Sequence, residues 1–573
     1  MKRLFKYLRP YLLFTIIAPL FMIVEVWMDI LSPMFMSSII DEGIAAGDMN
    51  HILWTSLKMI GVALIGVAGG VGNMYFSTKA GYGFAKNLRA AVYEKIQAFS
   101  FANVDEFKTG SLITRTTNDV AQIQNAFTTC IRMLVRSPFL CIGGVIAVLG
   151  ISPKLSLVVF CAMPFIGLVV FFALKKAFPR FKGMQEKLDR VNVVMQENLA
   201  GVRVIKAFGR SEYEKKRFCE ANNDLTETSM RAMRLMSIGH PLIGLVMNIT
   251  MVCMYWIGGQ MVFEGTLSPG NIMAFANYIT QILMALTSSS FMLIFISRAQ
   301  VSFVRVNEVL DTKIDIVDGR DTNAKVEEGC VEFKNVYFRY PGDSGDALKD
   351  ISFSAKAGET VAILGATGSG KSSLVHLIPR LYDVRQGQVL VDGKDVRSYT
   401  LENLRGSIGV ALQESVLFTG SIDENLHWGD ENAEDDFIRR AADVAQAAPF
   451  VEAMEEGYNT ELGQRGVNLS GGQKQRLCIA RALIKKPKIL ILDDSTSAVD
   501  LATEAKIQTG LREMMGHLTV FIIAQRISSV RDADKIIVLD EGRIVDIGKH
   551  NELINRCEIY REIAESQLGK GAV

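Results

Sequence analysis

Hydrophobic and polar positions divide the 573-residue chain near residue 311. Before that point, apolar runs close to the roughly 20 residues needed to span a bilayer recur at 11–35, 53–77, 133–151, 155–174, 240–263 and 271–297. Their connections are unequal. Those from Asp41 to Met49, Ser152 to Lys154 and Glu264 to Gly270 are short. Two others are long and basic, one carrying Lys79, Lys86, Arg89, Lys95, Lys108 and Arg115, the other Lys175, Lys176, Arg180, Lys182, Lys187 and Arg190. Basic loops stay on the cytoplasmic side, so the pattern predicts six spans with both long connections and both ends of the membrane half in the cytoplasm. Residues 175–239 keep helical periodicity with few turn signals. They predict two helices of about 30 residues that project about 45 Å beyond the bilayer and return.

After residue 311 the pattern changes. Residues 312–328 read as a polar linker, and from Val331 to Tyr340 the chain alternates as strands do. Short apolar runs at 359–364 and 488–493 read as buried strands, and a helix begins near Ser373. The expectation is an all-α six-helix transmembrane domain (1–311), a linker (312–328) and an α/β P-loop nucleotide-binding domain (329–573).

Composition agrees with a membrane half joined to a soluble half: 49% of residues are hydrophobic and the mean hydropathy is +0.22. A net charge of +1 gives no general case for nucleic-acid binding. The eight cysteines form no C-x-x-C pair, which predicts neither a disulfide framework nor a zinc site. The basic first ten residues show no cleavage site before the first apolar run and read as an interfacial helix rather than a removed signal.

The strongest chemical signal is Gly365 to Ser372, which reads G-x-x-x-x-G-K-S between a strand and a helix. In such a P-loop the glycines let backbone N–H groups close on phosphate oxygens at a helix N-terminus. Lys371 reaches the β- and γ-phosphates, and Ser372 ligates Mg²⁺. Gly365, Thr367, Gly368, Ser369, Gly370 and Ser373 complete the phosphate cradle. Asp493 ends a buried strand, where P-loop enzymes place a Mg²⁺-holding carboxylate. Ser470, Gly471, Gly472 and Gln473 precede a helix, and their N–H groups could receive a second phosphate. In the first apolar run, Glu25 and Asp29 share one helix face at i, i+4. They face a cavity, where an unpaired carboxylate would favour cationic substrates, or they lie near the outer water interface.

Taken together, nearly the whole chain resembles the half-transporters of the ATP-binding cassette exporter family. Within that resemblance Tyr340 is the base-stacking aromatic, Gly365 to Ser372 is Walker A, and Gln413 is the Q-loop glutamine, a further Mg²⁺ contact. Ser470 to Gln473 is the signature, Asp493 the Walker B carboxylate, and Ser497 to Asp500 the D-loop. Residues 106–119 and 197–208 resemble the two intracellular loops whose short coupling helices dock on nucleotide domains. The family works as dimers, with ATP held between Walker A of one subunit and the signature and D-loop of the other. Three positions depart from the family pattern. Asp494 replaces the glutamate that polarises the attacking water, Gln525 replaces the switch histidine, and Gln464 replaces a glutamate ahead of the signature. Asp494 is one methylene short, and glutamine carries no proton as histidine does.

The resemblance therefore implies a heterodimer with a second homologous half-transporter, in which this chain's own ATP site is degenerate and its signature completes the partner's competent site. It implies ATP and Mg²⁺ as cofactors, a bacterial cytoplasmic membrane, and export of amphipathic small molecules, drugs or lipids. A homodimeric exporter, an ATP-gated channel or regulator on the same scaffold, and inward transport remain open on the residues alone.

Overall fold

The computed structural model describes residues 5–514 and 516–568. Side chains of several helix residues, chiefly among 170–182 and 289–298, also lie outside the description. The chain separates into two compact units. One comprises residues 1–96 and 110–311, the other residues 97–109 and 312–573.

The first unit is helical. Its long helices are Leu12–Ser38, Met49–Gln97, Val120–Ile151, Pro153–Ala200, Ser211–Phe263 and Pro269–Asp311. Among the described residues, four helical stretches are long and apolar enough to cross a membrane: Lys6–Ile44, Met49–Gln97, Thr109–Ile151 and Ser211–Phe263. The expected fourth span falls on Pro153–Ala200, whose apolar run is described over Pro153–Val169. The expected sixth falls on Pro269–Asp311, part of whose side chains lie outside the description.

Pro153–Ala200 and Ser211–Phe263 contain 48 and 53 residues. At about 1.5 Å per residue each exceeds 70 Å, against a hydrocarbon layer of about 30 Å. Their polar ends pack through Val191, Val194 and Ala221, with Lys187 on Asp224 at 2.9 Å on the outside. Satisfied polar groups fasten the spans. Asn73 donates to the Ala18 carbonyl at 2.7 Å, and the buried Tyr278 hydroxyl donates to the Ile30 carbonyl at 2.6 Å. In an apolar surround such groups need a partner, because an unmade hydrogen bond there is costly.

The second unit is α/β. A six-stranded sheet runs Arg543–Gly548, Lys535–Asp540, Thr360–Leu364, Thr519–Ile523, Ile489–Asp493 and Ile408–Ala411, parallel except at the first strand. Ile489–Asp493 and Thr519–Ile523 are buried at every position. That is the reason their sequences run apolar without alternation. A second, antiparallel sheet orders Leu348–Ala355, Val331–Phe338, Gln386–Val391 and Lys394–Asp395. Here Val331–Phe338 alternates buried and exposed positions over part of its length.

Residues 312–328, expected as a linker, are tied down within this unit. The Val317 carbonyl accepts from Arg380 at 2.9 Å. Asp318 accepts from the Leu401 N–H at 2.8 Å. Both Asp392 oxygens accept backbone N–H groups from Glu327 to Cys330 at 2.7–3.1 Å. A polar segment reads as a free tether only until its backbone partners are seen.

Candidate functional site

Strand Thr360–Leu364 delivers the chain to the P-loop, and helix Lys371–His376 leaves it. Gly370 caps that helix at φ +100°, a conformation that disfavours a side chain. At Gly365 an added Cβ would lie 2.1 Å from the Leu539 carbonyl oxygen. Both glycines are therefore dictated by the loop's shape. The resulting cavity has a volume of about 320 Å³. It gathers Tyr340, Thr367, Gly368, Gly370, Lys371, Ser372, Ser373, Gln413, Asp493, Asp494 and Gln525, expected from sequence at separations of up to 185 residues.

Inside the cavity the groups are arranged for phosphate and a hard cation. The Lys371 ammonium donates to the Gly365 and Ala366 carbonyls at 2.9 and 2.8 Å. Burial lowers its pKa, opposed by the charges of Asp494 and Asp493. The Ser372 hydroxyl donates to Asp493 Oδ1 at 2.9 Å, and the Ser369 hydroxyl is buried with no partner among the described residues. A hydroxyl and a carboxylate brought together, with the Gln413 amide on the same wall, form an all-oxygen donor set of the kind Mg²⁺ takes. Ser372, Asp493 and Gln413 would hold the ion, which supplies charge neutralisation to the phosphates when bound.

Asp494 and Gln525, the two cavity residues that depart from the expected pattern, touch each other. Asp494 sits at φ +48°. Its Oδ2 accepts a hydrogen bond from Gln525 Nε2 at 3.1 Å. Burial raises its pKa, and the adjacent Asp493 charge adds to this, while Lys371 and the Gln525 hydrogen bond oppose it. One oxygen of a short carboxylate is thus engaged by an amide that does not titrate as an imidazole does.

Tyr340 is held by two kinds of contact. Its hydroxyl and that of Ser373 are 2.8 Å apart, and its ring meets Tyr382 edge-on at 5.2 Å. Tyr382 donates to Asp105 at 2.7 Å. Asp105 belongs to the short helix Phe101–Phe107 of the first long connection, which lies in the same compact unit as the P-loop. A chain of contacts therefore runs from Asp105 through Tyr382 and Tyr340 to Ser373. The reading by sequence missed Tyr382. It also missed His376, whose Nε2 lies 3.3 Å from Asp493 Oδ2. Its signal was the four-residue interval from Ser372, which places both on one face of the P-loop helix.

The signature and D-loop residues do not line this cavity. Ser470 caps helix Gly471–Ile484 reciprocally with Gln473: Ser470 N–H donates to Gln473 Oε1 at 2.8 Å, and Gln473 N–H to Ser470 Oγ at 3.3 Å. The Gln475 amide accepts from the Ala498 N–H at 3.0 Å and donates to Ser497 at 3.2 Å, fixing the D-loop to the signature helix. Asp500 accepts from the Thr503 N–H at 3.0 Å. That bond, the largest of several, lowers its pKa.

In the first unit, Glu25 lies thirteen residues from either end of helix Leu12–Ser38. The expectation of an unpaired carboxylate needs correction. Arg136 of helix Val120–Ile151 pairs with Glu25 through Nη1 and donates to Asp29 Oδ2 from Nη2 at 3.1 Å. Asp29 lines a cavity of about 660 Å³ with Arg132 and Arg136, and with Glu25 it lines a second of about 300 Å³. The overlooked signal was Arg132 and Arg136 at i, i+4, the same interval as Glu25 and Asp29.

Comparison with known proteins gives a consistent result. A profile described as ABC transporter transmembrane region matches residues 15–286, and one described as ABC transporter matches residues 348–497. The chain is 40% identical over 570 residues to an uncharacterised ABC transporter ATP-binding protein, YfiB, of Bacillus subtilis, covering 100% of this chain and 99% of that one. It is 34% identical to a multidrug efflux ATP-binding/permease protein of Mycobacterium tuberculosis, over 93% of this chain and 44% of that one. It is 32% identical to an ATP-dependent lipid A-core flippase of Hahella chejuensis, over 90% and 88%. The solved structure of a bacterial Atm1-family ABC exporter with ATP bound superposes with a TM-score of 0.80 at 25% identity, over 98% and 99% of the two chains.

Proposed function

The chain belongs to the ABC transporter family, and from that membership we propose that it is the degenerate-site subunit of a heterodimeric exporter in a bacterial cytoplasmic membrane. Its helical transmembrane domain and its nucleotide-binding domain are those of an ABC exporter, an ATPase coupled to transport. Beyond that, Tyr340, the P-loop, Ser372, Gln413 and Asp493 bind Mg-ATP. Asp494 and Gln525 make hydrolysis at this site slow. Ser470 to Gln473 and Asp500 lie away from the chain's own cavity and serve the site of a homologous partner. The bound nucleotide holds the nucleotide domains in contact while the partner's site turns over. The cargo is an amphipathic small molecule, a drug or a lipid, in keeping with the efflux and flippase names of two relatives.

The observation that carries this reading is the Asp494–Gln525 hydrogen bond of 3.1 Å. A general base must reach the water it activates, and its loss typically costs about 10²–10⁴ in rate. Asp494 is short, and one of its two oxygens is engaged by Gln525. The test compares ATPase activity of the purified chain alone with that of the chain co-expressed with its partner. The reading expects weak turnover alone and substrate-stimulated turnover in the pair. Equal turnover per dimer would return the chain to a homodimer.

A further inference from the structure

The larger membrane cavity is bounded by helices Leu12–Ser38, Val120–Ile151 and Pro269–Asp311. Glu25, Asp29 and Arg136 form one linked set of charges, and Arg132 stands outside it. Arg136 is engaged by Glu25 and Asp29. Arg132, one turn earlier on the same face, also lines the cavity. Among the described residues it forms no ion pair. Gln281 donates from Nε2 to the Asp29 carbonyl at 3.3 Å, and among the described residues its buried Oε1 has no hydrogen-bond partner. Around these two groups stand Met22, Met133 and Met284, whose pliable side chains suit apolar ligands of varied shape.

A cationic ligand would meet Arg132 and two carboxylates already committed to Arg136. We infer instead that this cavity takes amphipaths with an anionic head group, a carboxylate, sulfonate or phosphate. Arg132 is the counter-ion, Gln281 Oε1 accepts a hydrogen bond from an N–H or O–H of the ligand, and the methionines hold the apolar part. Arg132 is exposed in the cavity wall and pairs with no carboxylate among the described residues, so its charge is free to meet an anion. The inference rests on the export reading for its purpose. Its test measures binding without turnover, so it stands or falls separately from the asymmetry of the ATP sites.

The experiment uses the chain with its co-expressed partner in phosphatidylcholine nanodiscs, without ATP. Two probes share one dye and one chain: dansyl-aminoundecanoic acid and its uncharged methyl ester. The acid should bind tighter by about tenfold or more, the scale of one hydrogen-bonded charge contact. Arg132→Gln should bring the ratio close to one, and Arg132→Lys should keep most of it. If Arg132→Gln binds neither probe, Arg132→Lys decides: a retained preference for the acid supports the assignment, and none overturns it. Adding phosphatidylglycerol to the nanodiscs separates the sources of the anion. Displacement of the acid identifies a lipid head group, and no displacement a free solute. Equal affinities in the unaltered protein, or an unchanged ratio in Arg132→Gln, would overturn the inference.

Discussion

Replacing Arg136 by glutamine should expose how the membrane unit carries its charges. The guanidinium bridges Glu25 and Asp29, whose side chains are 17% and 38% exposed. Without it, two carboxylates one turn apart lose their shared counter-ion. Removing one partner of a fully buried ion pair costs about 3–5 kcal/mol, and an exposed pair is worth about 0–1 kcal/mol. The partial exposure of this trio puts the loss between those limits, at about 2 kcal/mol. The thermal midpoint of Arg136→Gln in detergent should therefore fall by several degrees at pH 7.5. Adding Glu25→Gln and Asp29→Asn to Arg136→Gln should restore most of the loss, because the neutral trio leaves no charge behind. A midpoint within one degree of the unaltered protein, of order the shift from a few tenths of a kcal/mol, or no recovery in the triple variant, would refute the reasoning.

Lys371→Ala removes the ammonium held on the Gly365 and Ala366 carbonyls and should weaken ATP binding by about tenfold or more, read with a fluorescent ATP analogue. In the nucleotide-free protein Asp494→Asn should raise the melting temperature at pH 7.5. A carboxyl whose folded pKa is raised stabilises the fold at low pH and loses that contribution as the pH rises through the folded value. The advantage of asparagine should therefore fade as the pH falls towards about 4, the ordinary aspartate range. Tyr382→Phe and Asp105→Leu should each destabilise the nucleotide-binding unit. A double-mutant cycle on its unfolding should give a coupling of about 1–2 kcal/mol for their 2.7 Å hydrogen bond; a coupling near zero would show that the contact carries no energy.

Much of the nucleotide site was legible because its chemistry is local in sequence. The run from Gly365 to Ser372 specifies its own turn, and Asp493 ends a strand that is apolar because it is buried on both faces. Four of the expected spans fall on helices that, among the described residues, are long and apolar enough to cross a membrane. What stayed hidden depends on separations that no periodicity encodes. Asp105 and Tyr382 are 277 residues apart, and nothing in either neighbourhood names the other. Arg136 reaches Glu25 across 111 residues; only the matched four-residue intervals hinted at a pair. The segment 312–328 looked like a tether because the groups that hold it, the Arg380 and Asp392 side chains on its backbone and the Leu401 N–H on the Asp318 carboxylate, are remote in sequence.

The central claim is that this chain binds ATP but hardly hydrolyses it at its own site. The most direct measurement is the steady-state ATPase of the purified pair carrying Asp494→Asn, beside the same pair carrying the matching Glu→Gln change in the partner. The account predicts that Asp494→Asn lowers turnover only modestly, by less than about threefold, because its carboxylate is already short and held by Gln525. The partner's change should lower turnover by about 10²-fold or more, as loss of a placed base does. If Asp494→Asn halts hydrolysis as completely as the partner's change, this site is catalytic and the asymmetric account is wrong.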